Sequence, residues 1–476
     1  MPNFLTGIFK CESSGDIRLY RWFDNAISES AVPLSGLAEI ESHSGAPVAL
    51  LRHAYGVASG GAEDYSNSTF ESYSSEDREQ QIADARLPNG NLRDLSYQGF
   101  KSAPLAHSYV HAVGPIHAGV IEPGHFRFSL QGEHIRNLRI RLGFQRRGLL
   151  KKLVGTDALK AFPLIETVSG DTSVGYSMAL SEVYEHAWNL EPSFETAWWK
   201  RLLLEVERIA IHVGDLGAIA GDIGFYPLQG VGAADRGVPL GVMESLTGSR
   251  FGRSAIWPGT VRLREGLTQA DLLKLAERIE EVTARVLKEF NRACSAPSVP
   301  ERLQGRGRIT RADVRRNGFV GMPARCTGLE CDLRLTDSVL ATLPVTLNLK
   351  LNCEDLEGDA WARFHLRAQE LERSAAWIAA SLRKIKLPST SKLRVEDMRK
   401  ERSVKPGVYF SAVEAWRGPL LVACDFGANG LIRQAYVRDP SVLNWHALEL
   451  AVKGELIGDF PLNNKSFNLS YVGVDL

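Results

Sequence analysis

Histidine is the residue type in this sequence that most readily suggests metal chemistry, because imidazole binds zinc and titrates near neutral pH. Five histidines lie within 28 residues, at His107, His111, His117, His125 and His134. His107 and His111 are four residues apart, but the HExxH pattern of zinc proteases is absent. We therefore expect no zinc site among them.

The cysteine pattern fits neither a metal site nor a disulfide framework. No two cysteines are related as CxxC, so we expect buried structural thiols in a reducing, cytosolic environment. The six positions are Cys11, Cys294, Cys326, Cys331, Cys353 and Cys424. The phosphate-loop pattern GxxxxGK[ST] and the dinucleotide pattern GxGxxG are also absent, which argues against direct NAD binding.

The overall charge of the chain excludes several classes of partner. Lys and Arg number 56, as do Asp and Glu, so no net field favours nucleic acid or an anionic membrane surface. No apolar run is long enough to span a bilayer, and the first residues do not form a signal peptide. Any membrane association is therefore expected to depend on partner subunits.

The elements around residues 112–183 must position the histidines and the polar residues that follow them. Apolar and polar residues alternate over 126–130 and again over 135–142, which predicts two strands joined by a turn at 131–133. Residues 169–172 then read as a short loop that leads into a helix. This part of the chain is therefore predicted to be a hairpin, a loop and a helix start.

The remaining patterns predict a mainly helical α+β protein. Apolar stripes at helical spacing predict long helices over 192–225, from Thr268 onward and over 358–384, which together suggest a helix bundle. Residues 405–426 read as a β-hairpin, and the last twenty residues read as irregular chain. Residues 1–105 are expected to form a small α+β domain, with strands at 18–23 and 46–53 and a polar loop within 57–102, and 106–476 a second domain.

Ordered motifs through the second domain carry a family resemblance. Residues 113–476 resemble the large subunit of membrane-bound, energy-converting nickel–iron hydrogenases (group 4) and the quinone-site large subunit of respiratory complex I. The resemblance implies that fold, a helix bundle with peripheral hairpins. The motifs are GPIH (114–117), PGHFRF (123–128), LGFQRRG (142–148), LEVERIAIH (204–212), DIGF (222–225), ARCTG (324–328), GDAWAR (358–363), EAWRG (414–418), VRDPS (437–441) and DFPL (459–462).

The resemblance also shows which chemistry is missing. Hydrogenases of this family hold nickel and iron with four thiolates in two CxxC pairs, because soft sulfur ligands select such a centre. The corresponding positions here are Ser169, Thr172, Ser470 and Gly473. We therefore expect no nickel–iron centre and no hydrogenase activity of this chain by itself. A glutamate associated with proton transfer in the family is also replaced by Pro123, although Glu122 is adjacent.

The complex I comparison suggests residues that bind a ligand in the same cavity. The histidine and tyrosine associated there with the quinone headgroup fall near Pro123 and Gly170, so His117, His125 and Tyr176 are candidate replacements. Histidine and tyrosine suit a site that donates hydrogen bonds to carbonyls and supplies protons. The alternative is that these three side chains only satisfy backbone groups in a tight hairpin.

Two charged residues complete the candidate site that the resemblance implies. Asp171 lies between the two former metal-ligand positions, where we expect the cavity to raise its pKa and make it a proton-handling group. Arg417 lies in a turn that reaches over the metal site in hydrogenases, and its guanidinium would orient an anionic or carbonyl-bearing ligand. The alternative for Arg417 is a salt bridge to Asp171 or Asp425.

Two functional hypotheses follow from the resemblance. In the first, the chain is an electron-transfer subunit: the cavity, which includes Ser169, Thr172 and Ser470, binds a quinone-like or other redox ligand. Electrons arrive from an iron–sulfur small subunit, and antiporter-like membrane subunits move ions. In the second, the chain is a non-catalytic structural or conformational coupling subunit of a similar NADH dehydrogenase-like or hydrogenase-like complex. Either way the chain is expected on the inner face of the cell membrane, held by its partners.

Overall fold

The computed structural model describes residues 108–117, 121–349, 357–387 and 404–476, together with the backbone of three strands near the N-terminus. These strands, β1 (Leu5–Lys10), β2 (Ile17–Phe23) and β3 (Ala26–Val32), form an antiparallel sheet in chain order. The predicted strand at 18–23 coincides with β2. The predicted strand at 46–53, the polar loop, the boundary near residue 105, and Cys11 and Cys353 lie outside the described residues.

A three-stranded antiparallel sheet contains the predicted hairpin. It consists of β4 (Tyr109–Val113), β5 (His125–Gln131) and β6 (His134–Arg141), in the order β4-β5-β6. The alternation in the sequence places Phe126, Phe128 and Leu130 on the buried face. The chain segment between β4 and β5 is therefore held at one end of this sheet.

The other strands are short or lie late in the chain. They are β7 (Ile256–Trp257), β8 (Thr260–Val261), β9 (Gly407–Ala415), β10 (Gly418–Phe426) and β11 (Ile432–Arg438). β9 and β10 form the predicted hairpin, with Ala415 paired to Gly418 across the turn, and β11 adds to the other edge of β10. This turn contains Trp416 and Arg417.

Helices make up most of the described residues. In chain order they are α1 (Leu149–Leu153), α2 (Ala158–Ile165), α3 (Ser173–Trp188), α4 (Phe194–Asp222), α5 (Tyr226–Asp235), α6 (Gly237–Thr247), α7 (Gln269–Ser295), α8 (Ser298–Leu303), α9 (Arg311–Asn317), α10 (Gly321–Arg325), α11 (Ser338–Thr342), α12 (Ala360–Lys384), α13 (Ser441–Ala451) and α14 (Phe460–Phe467). Single 3₁₀ turns occur at Leu333–Thr336 and Ile457–Asp459. None of the described helices is both long and apolar enough to cross a membrane.

The three predicted long helices, α4, α7 and α12, form the core of the bundle. α12 packs against both α4 and α7, and their apolar stripes are buried between them. Each helix begins at a side-chain cap: Ser193 for α4, Thr268 for α7 and Asp359 for α12. Thr268 and Asp271 form a capping box at the start of α7.

The prediction that the last twenty residues are irregular is confirmed for 468–476 and wrong for 457–467. Residues 460–467 form α14, which starts with a proline in its first turn and ends at Asn468 in the left-handed conformation. Leu462 and Phe467 are buried. Eight residues are too few for a helical period to stand out, so packing rather than pattern specifies this helix.

Candidate functional site

Three segments that are distant in the sequence meet at the candidate site. They are the 169–172 loop before α3, the turn between β9 and β10, and residues 468–473 after α14. The indole nitrogen of Trp416 donates to the carbonyl of Asp171 at 3.0 Å, and Arg417 Nε donates to the carbonyl of Asn468 at 2.7 Å. The turn between the strands therefore links the other two segments.

The start of α10 supports this turn from behind. The amide of Met322 donates to the carbonyl of Arg417 at 3.3 Å. The preceding residue, Gly321, has φ +61°, and a Cβ atom there would lie 2.0 Å from that same carbonyl oxygen. Only glycine allows the two backbones to approach so closely. The position of Arg417 is thus determined by backbone contacts as well as by its own side chain.

Asp171 and Arg417 form a bidentate ion pair at the centre of the site. Arg417 Nη1 lies 2.9 Å from Asp171 Oδ1, and Nη2 lies 2.8 Å from Oδ2. The hydroxyls of Ser169 and Thr172 donate to the same Oδ1 at 2.6 and 2.9 Å. The Asp171 side chain is 30% exposed, whereas that of Arg417 is 6% exposed. The Asp171 side chain is therefore partly accessible to solvent.

The electrostatic expectation for Asp171 is wrong in sign. Burial alone would raise the pKa of its carboxyl, but the charge of Arg417 and the hydrogen bonds from Arg417, Ser169 and Thr172 outweigh it and lower the pKa below the ordinary value. Asp171 therefore remains an ionised acceptor. The salt bridge to Arg417, which the sequence left as an alternative, is the arrangement in the structure.

A second buried pair lies beside the first. Tyr176, which is fully buried, donates its hydroxyl to Asp439 Oδ2 at 2.6 Å, and the amide of Ser441 donates to Asp439 Oδ1 at 2.8 Å. Burial and the adjacent Asp439 raise the pKa of Tyr176 well above its ordinary value, so it stays a protonated donor. Ser470 Oγ lies 3.4 Å from Ser169 Oγ and accepts from the amide of Gly473.

These residues do not fit a nickel–iron centre. The four former ligand positions offer three hydroxyls and no thiolate, and hydroxyls are poor ligands for a soft metal. A Cβ atom at Gly473 would lie 2.6 Å from Asp439 Oδ2 and 2.9 Å from Ser470 Oγ. The volume of the fourth ligand is thus already taken by Asp439. Among the described residues, no three His, Cys, Asp or Glu side chains are grouped so that they would hold a metal ion.

The two candidate histidines lie at the end of the β4–β5 hairpin. His125 Nδ1 is 3.2 Å from the carbonyl of Gly114, and His117 Nε2 is 2.6 Å from the carbonyl of Gly124. Burial lowers the pKa of His125, so its neutral form is favoured at neutral pH. Both of these contacts are to backbone of the hairpin itself, which is the structural role that the sequence left open.

Three carboxylates near the site were not predicted as site residues. Glu122 accepts from the amide of Val472 at 3.3 Å, and Asp439 bonds Tyr176. Glu207 accepts from the amides of Val174 and Gly175 at 2.7 and 3.2 Å, at the start of α3.

Burial raises the pKa of both Glu122 and Glu207, and it raises that of Glu207 to about 8. The negative charge of Asp171 also contributes to both increases. Glu207 was detectable in the sequence, because it interrupts the apolar stripe of α4 between Leu203 and Ala210. Nothing in the sequence indicated that Asp439 would lie against Gly473.

Comparison with known proteins places this arrangement in a family. The profile described as respiratory-chain NADH dehydrogenase, 49 Kd subunit, matches residues 222–475, which is more than half of the chain. The chain belongs to this family. The matched range includes Arg417, Asp439 and the 468–473 segment. The resemblance inferred from the motifs is thereby confirmed.

Individual relatives include both a subunit of an NADH-quinone oxidoreductase and a subunit of a membrane-bound hydrogenase, the two groups that the motifs resemble. A subunit of the NADH-quinone oxidoreductase of Thermosipho melanesiensis is 26% identical over 309 residues, covering 64% of this chain and 82% of the relative. The alpha subunit of the membrane-bound hydrogenase of Pyrococcus furiosus is 25% identical over 361 residues, covering 73% of this chain and 82% of the relative. We expected an oxidoreductase-type or hydrogenase-like subunit of a larger complex, and these relatives agree with that expectation.

A solved structure shows the same fold. A chain from the membrane-bound sulfane sulfur reductase, an archaeal respiratory membrane complex, matches with a TM-score of 0.69 and 23% identity, covering 78% of this chain and 99% of that chain. The predicted mainly helical α+β architecture is confirmed by this match.

Proposed function

We propose that the chain is a peripheral-arm subunit of a membrane-associated redox complex, in which the site around Asp171 and Arg417 binds a quinone-like or other redox ligand without a nickel–iron centre. Family membership supports the role of complex subunit. The observation that carries the ligand site is the Asp171–Arg417 pair, which is held by hydroxyl and backbone contacts while the Asp171 side chain stays 30% exposed. Fixed polar groups of this kind orient a small ligand.

In this proposal Glu122 and Glu207, rather than Asp171, donate protons to the ligand. A group serves as proton donor near neutral pH when its pKa lies close to that pH. The pKa of Glu207 is raised to about 8 by burial, and that of Glu122 is also raised by burial. Asp171, with its lowered pKa, would accept a hydrogen bond from the ligand, and Arg417 would hold Asp171 in place.

The proposal includes the partners and the location of the chain. Electrons would arrive from an iron–sulfur small subunit, and antiporter-like membrane subunits would move ions. The relatives named above, from an NADH-quinone oxidoreductase and from a membrane-bound hydrogenase, support a role within such an assembly. We place the chain on the cytoplasmic face of the cell membrane, attached through these partners, with residues 1–105 as a separate small domain.

The purified complex provides the test. It should contain substoichiometric nickel by metal analysis, extractable quinone, and quinone-dependent electron transfer. Arg417→Lys should reduce this electron transfer at least about tenfold, because an ammonium group cannot hold Asp171 through two parallel hydrogen bonds. Arg285→Lys, at a surface pair with Asp235, is the matched control and should leave turnover unchanged. Stoichiometric nickel, or an undiminished rate in Arg417→Lys, would contradict the proposal.

One observation favours the second hypothesis, a structural coupling subunit. Tyr176 fills the interior beside the site, and its hydroxyl is engaged by Asp439. A site whose polar groups satisfy one another needs no ligand. If the complex moves electrons at the wild-type rate when Asp171 and Arg417 are both replaced, and no quinone is bound, the coupling role is the correct one.

A further inference from the structure

The geometry of the Asp171–Arg417 pair decides which charge the ligand carries. The sequence left two ligand classes open for Arg417, an anion or a neutral carbonyl compound. We propose that Asp171 is a specificity-determining residue: it occupies the guanidinium of Arg417, so that the site rejects anions and accepts a neutral ligand that carries an O–H or N–H donor. This inference rests on the proposed function, since it concerns the ligand of that same site.

The guanidinium has no bidentate face left for an anionic ligand. Its two terminal nitrogens contact the two oxygens of Asp171 at 2.9 and 2.8 Å, and its Nε donates to the carbonyl of Asn468. Nη1 is also 3.3 Å from Thr172 Oγ1. An anion would have to displace a carboxylate that Ser169 and Thr172 hold as well. The preferred way in which arginine binds carboxylate or phosphate is therefore already used within the chain.

The surrounding charges also disfavour an anion. Two further carboxyl groups lie near the pair: the charge of Asp439 raises the pKa of Arg417, and the charges of Asp171 and Arg417 act on the pKa of Glu122. The terminal nitrogens of Arg147, whose charge acts on Glu122, donate to the carbonyls of Thr167 and Val168, so they are engaged within the chain. Arg253 lies close to Gly170, since a Cβ atom built at Gly170 would be 3.8 Å from Arg253 Nη2. Arg253 is exposed, so solvent and salt screen its charge.

The two carboxylate oxygens of Asp171 accept different numbers of hydrogen bonds. Asp171 Oδ1 receives hydrogen bonds from Ser169, Thr172 and Arg417, whereas Oδ2 receives one from Arg417. A carboxylate oxygen accepts about two such bonds. Oδ2 therefore retains capacity for a further donor, and the side chain that carries it is 30% exposed. A hydroxyl group of a reduced, neutral ligand has the required chemistry.

A pair of probes that differ in charge tests the inference on the intact purified complex. Under anaerobic conditions, 1,4-naphthohydroquinone should bind at least about tenfold more tightly than its 2-sulfonate. Asp171→Asn should raise the affinity for the sulfonate about tenfold, because it removes the charge that neutralises Arg417. Asp235→Asn removes a carboxylate from a bidentate surface pair with Arg285 and should leave both affinities unchanged.

The outcomes separate this inference from the proposed function. If the sulfonate binds the wild-type complex as tightly as the neutral compound, the charge-selection inference is wrong while a ligand site remains. If neither compound binds, the proposed function fails and the inference fails with it. Ser169→Ala keeps the charge of Asp171 and removes one of its hydrogen bonds, so the wild-type preference should persist. A reversed preference in Ser169→Ala would show that shape, not charge, selects the ligand.

Discussion

Two regions of the described residues are built from arginines and carboxylates, yet their side chains differ in exposure to solvent. The first is the candidate site, with Asp171 and Arg417. The second, which we call the ion-pair network, lies between α4, α10, α12 and β9 and consists of Glu205, Arg208, Arg325, Asp332, Arg334, Glu370 and Glu414. Every side chain of the network is at most 7% exposed, whereas Asp171 is 30% exposed.

The comparison shows that burial, not residue type, separates a scaffold from a site. Within the network, Arg208 donates to the carbonyls of Glu414 and Ala415, so it fastens α4 to the strand that leads into Arg417. The side chains of the network are buried in mutual ion pairs that hold these elements together, and Arg325, Asp332, Arg334 and Glu370 also line a cavity of about 200 Å³. The Asp171–Arg417 pair uses the same chemistry, but its carboxylate residue is partly exposed. The network positions the turn, and the turn positions the site.

The largest effect is expected inside the network. Arg325→Met removes one ion-pair partner each from Asp332, Glu370 and Glu414. Asp332 keeps Arg334 and Glu370 keeps Arg208, but the buried carboxyl of Glu414 loses its arginine partner. We expect a loss of about 3–5 kcal/mol in unfolding free energy. The denaturation midpoint of the purified complex measures it, and Arg285→Met on the surface is the control. A loss below about 1 kcal/mol would contradict the distinction between the two regions.

A smaller loss is expected where Asp439 fills the former ligand position. Gly473→Ala places a methyl group 2.6 Å from Asp439 Oδ2, and the resulting strain should destabilise the protein by about 1–3 kcal/mol. Gly230→Ala in α5 is the matched control, because its Cβ atom would meet nothing within 4 Å. The control should be neutral or stabilising by up to about 1 kcal/mol. Equal denaturation midpoints for the two variants would show that Asp439 does not hold this volume.

The pH dependence of the unfolding free energy should reveal the titration of the Glu207 carboxyl. Its pKa is raised from 4.5 to about 8, so the folded state keeps a proton that the unfolded chain releases above pH 4.5. Stability from this group is therefore fully present below pH 4.5 and is lost as pH rises to about 8. Glu207→Gln should make the fall between pH 5 and 8 shallower by up to about 1.4 kcal/mol per pH unit.

Thermal denaturation of the purified complex across that pH range measures the change in slope. Glu414, whose pKa is raised to about 7 by burial and by Asp332, contributes in the same direction and remains in the variant. An unchanged slope in Glu207→Gln would mean that Glu207 titrates at its ordinary pKa. The proton-supply role proposed for Glu207 would then lose its support.

The smallest effect is expected at the surface pair of Asp235 and Arg285. This pair is bidentate, like the Asp171–Arg417 pair: Arg285 Nε and Nη2 each lie 3.0 Å from one carboxylate oxygen of Asp235. The Arg285 side chain, however, is 53% exposed. Asp235→Asn should change the unfolding free energy by less than about 1 kcal/mol. Chemical denaturation of the complex is the check, and a loss as large as that of Arg325→Met would show that geometry alone determines the strength of such pairs.

Local patterns in the sequence were enough for most of the fold. The alternation around Phe126 and Phe128 predicted the first hairpin, and the stripes of α4, α7 and α12 predicted the bundle, because periodicity reflects which face of an element is buried. The motifs predicted the family, which the comparisons confirm. α14 was missed, because it is short and its capping signals come from Pro461 and Asn468 rather than from a stripe.

The sequence by itself determined which residues stand where the resemblance places the metal ligands of hydrogenases, namely Ser169, Thr172, Ser470 and Gly473. Only the tertiary structure decided what those positions became. It brings Arg417 to Asp171 across 246 residues, which lowers the pKa of Asp171 instead of raising it. It also places Asp439 where a side chain at Gly473 would be. Electrostatic and steric effects depend on distance in space, and no local pattern encodes the distance between residues so far apart in the chain.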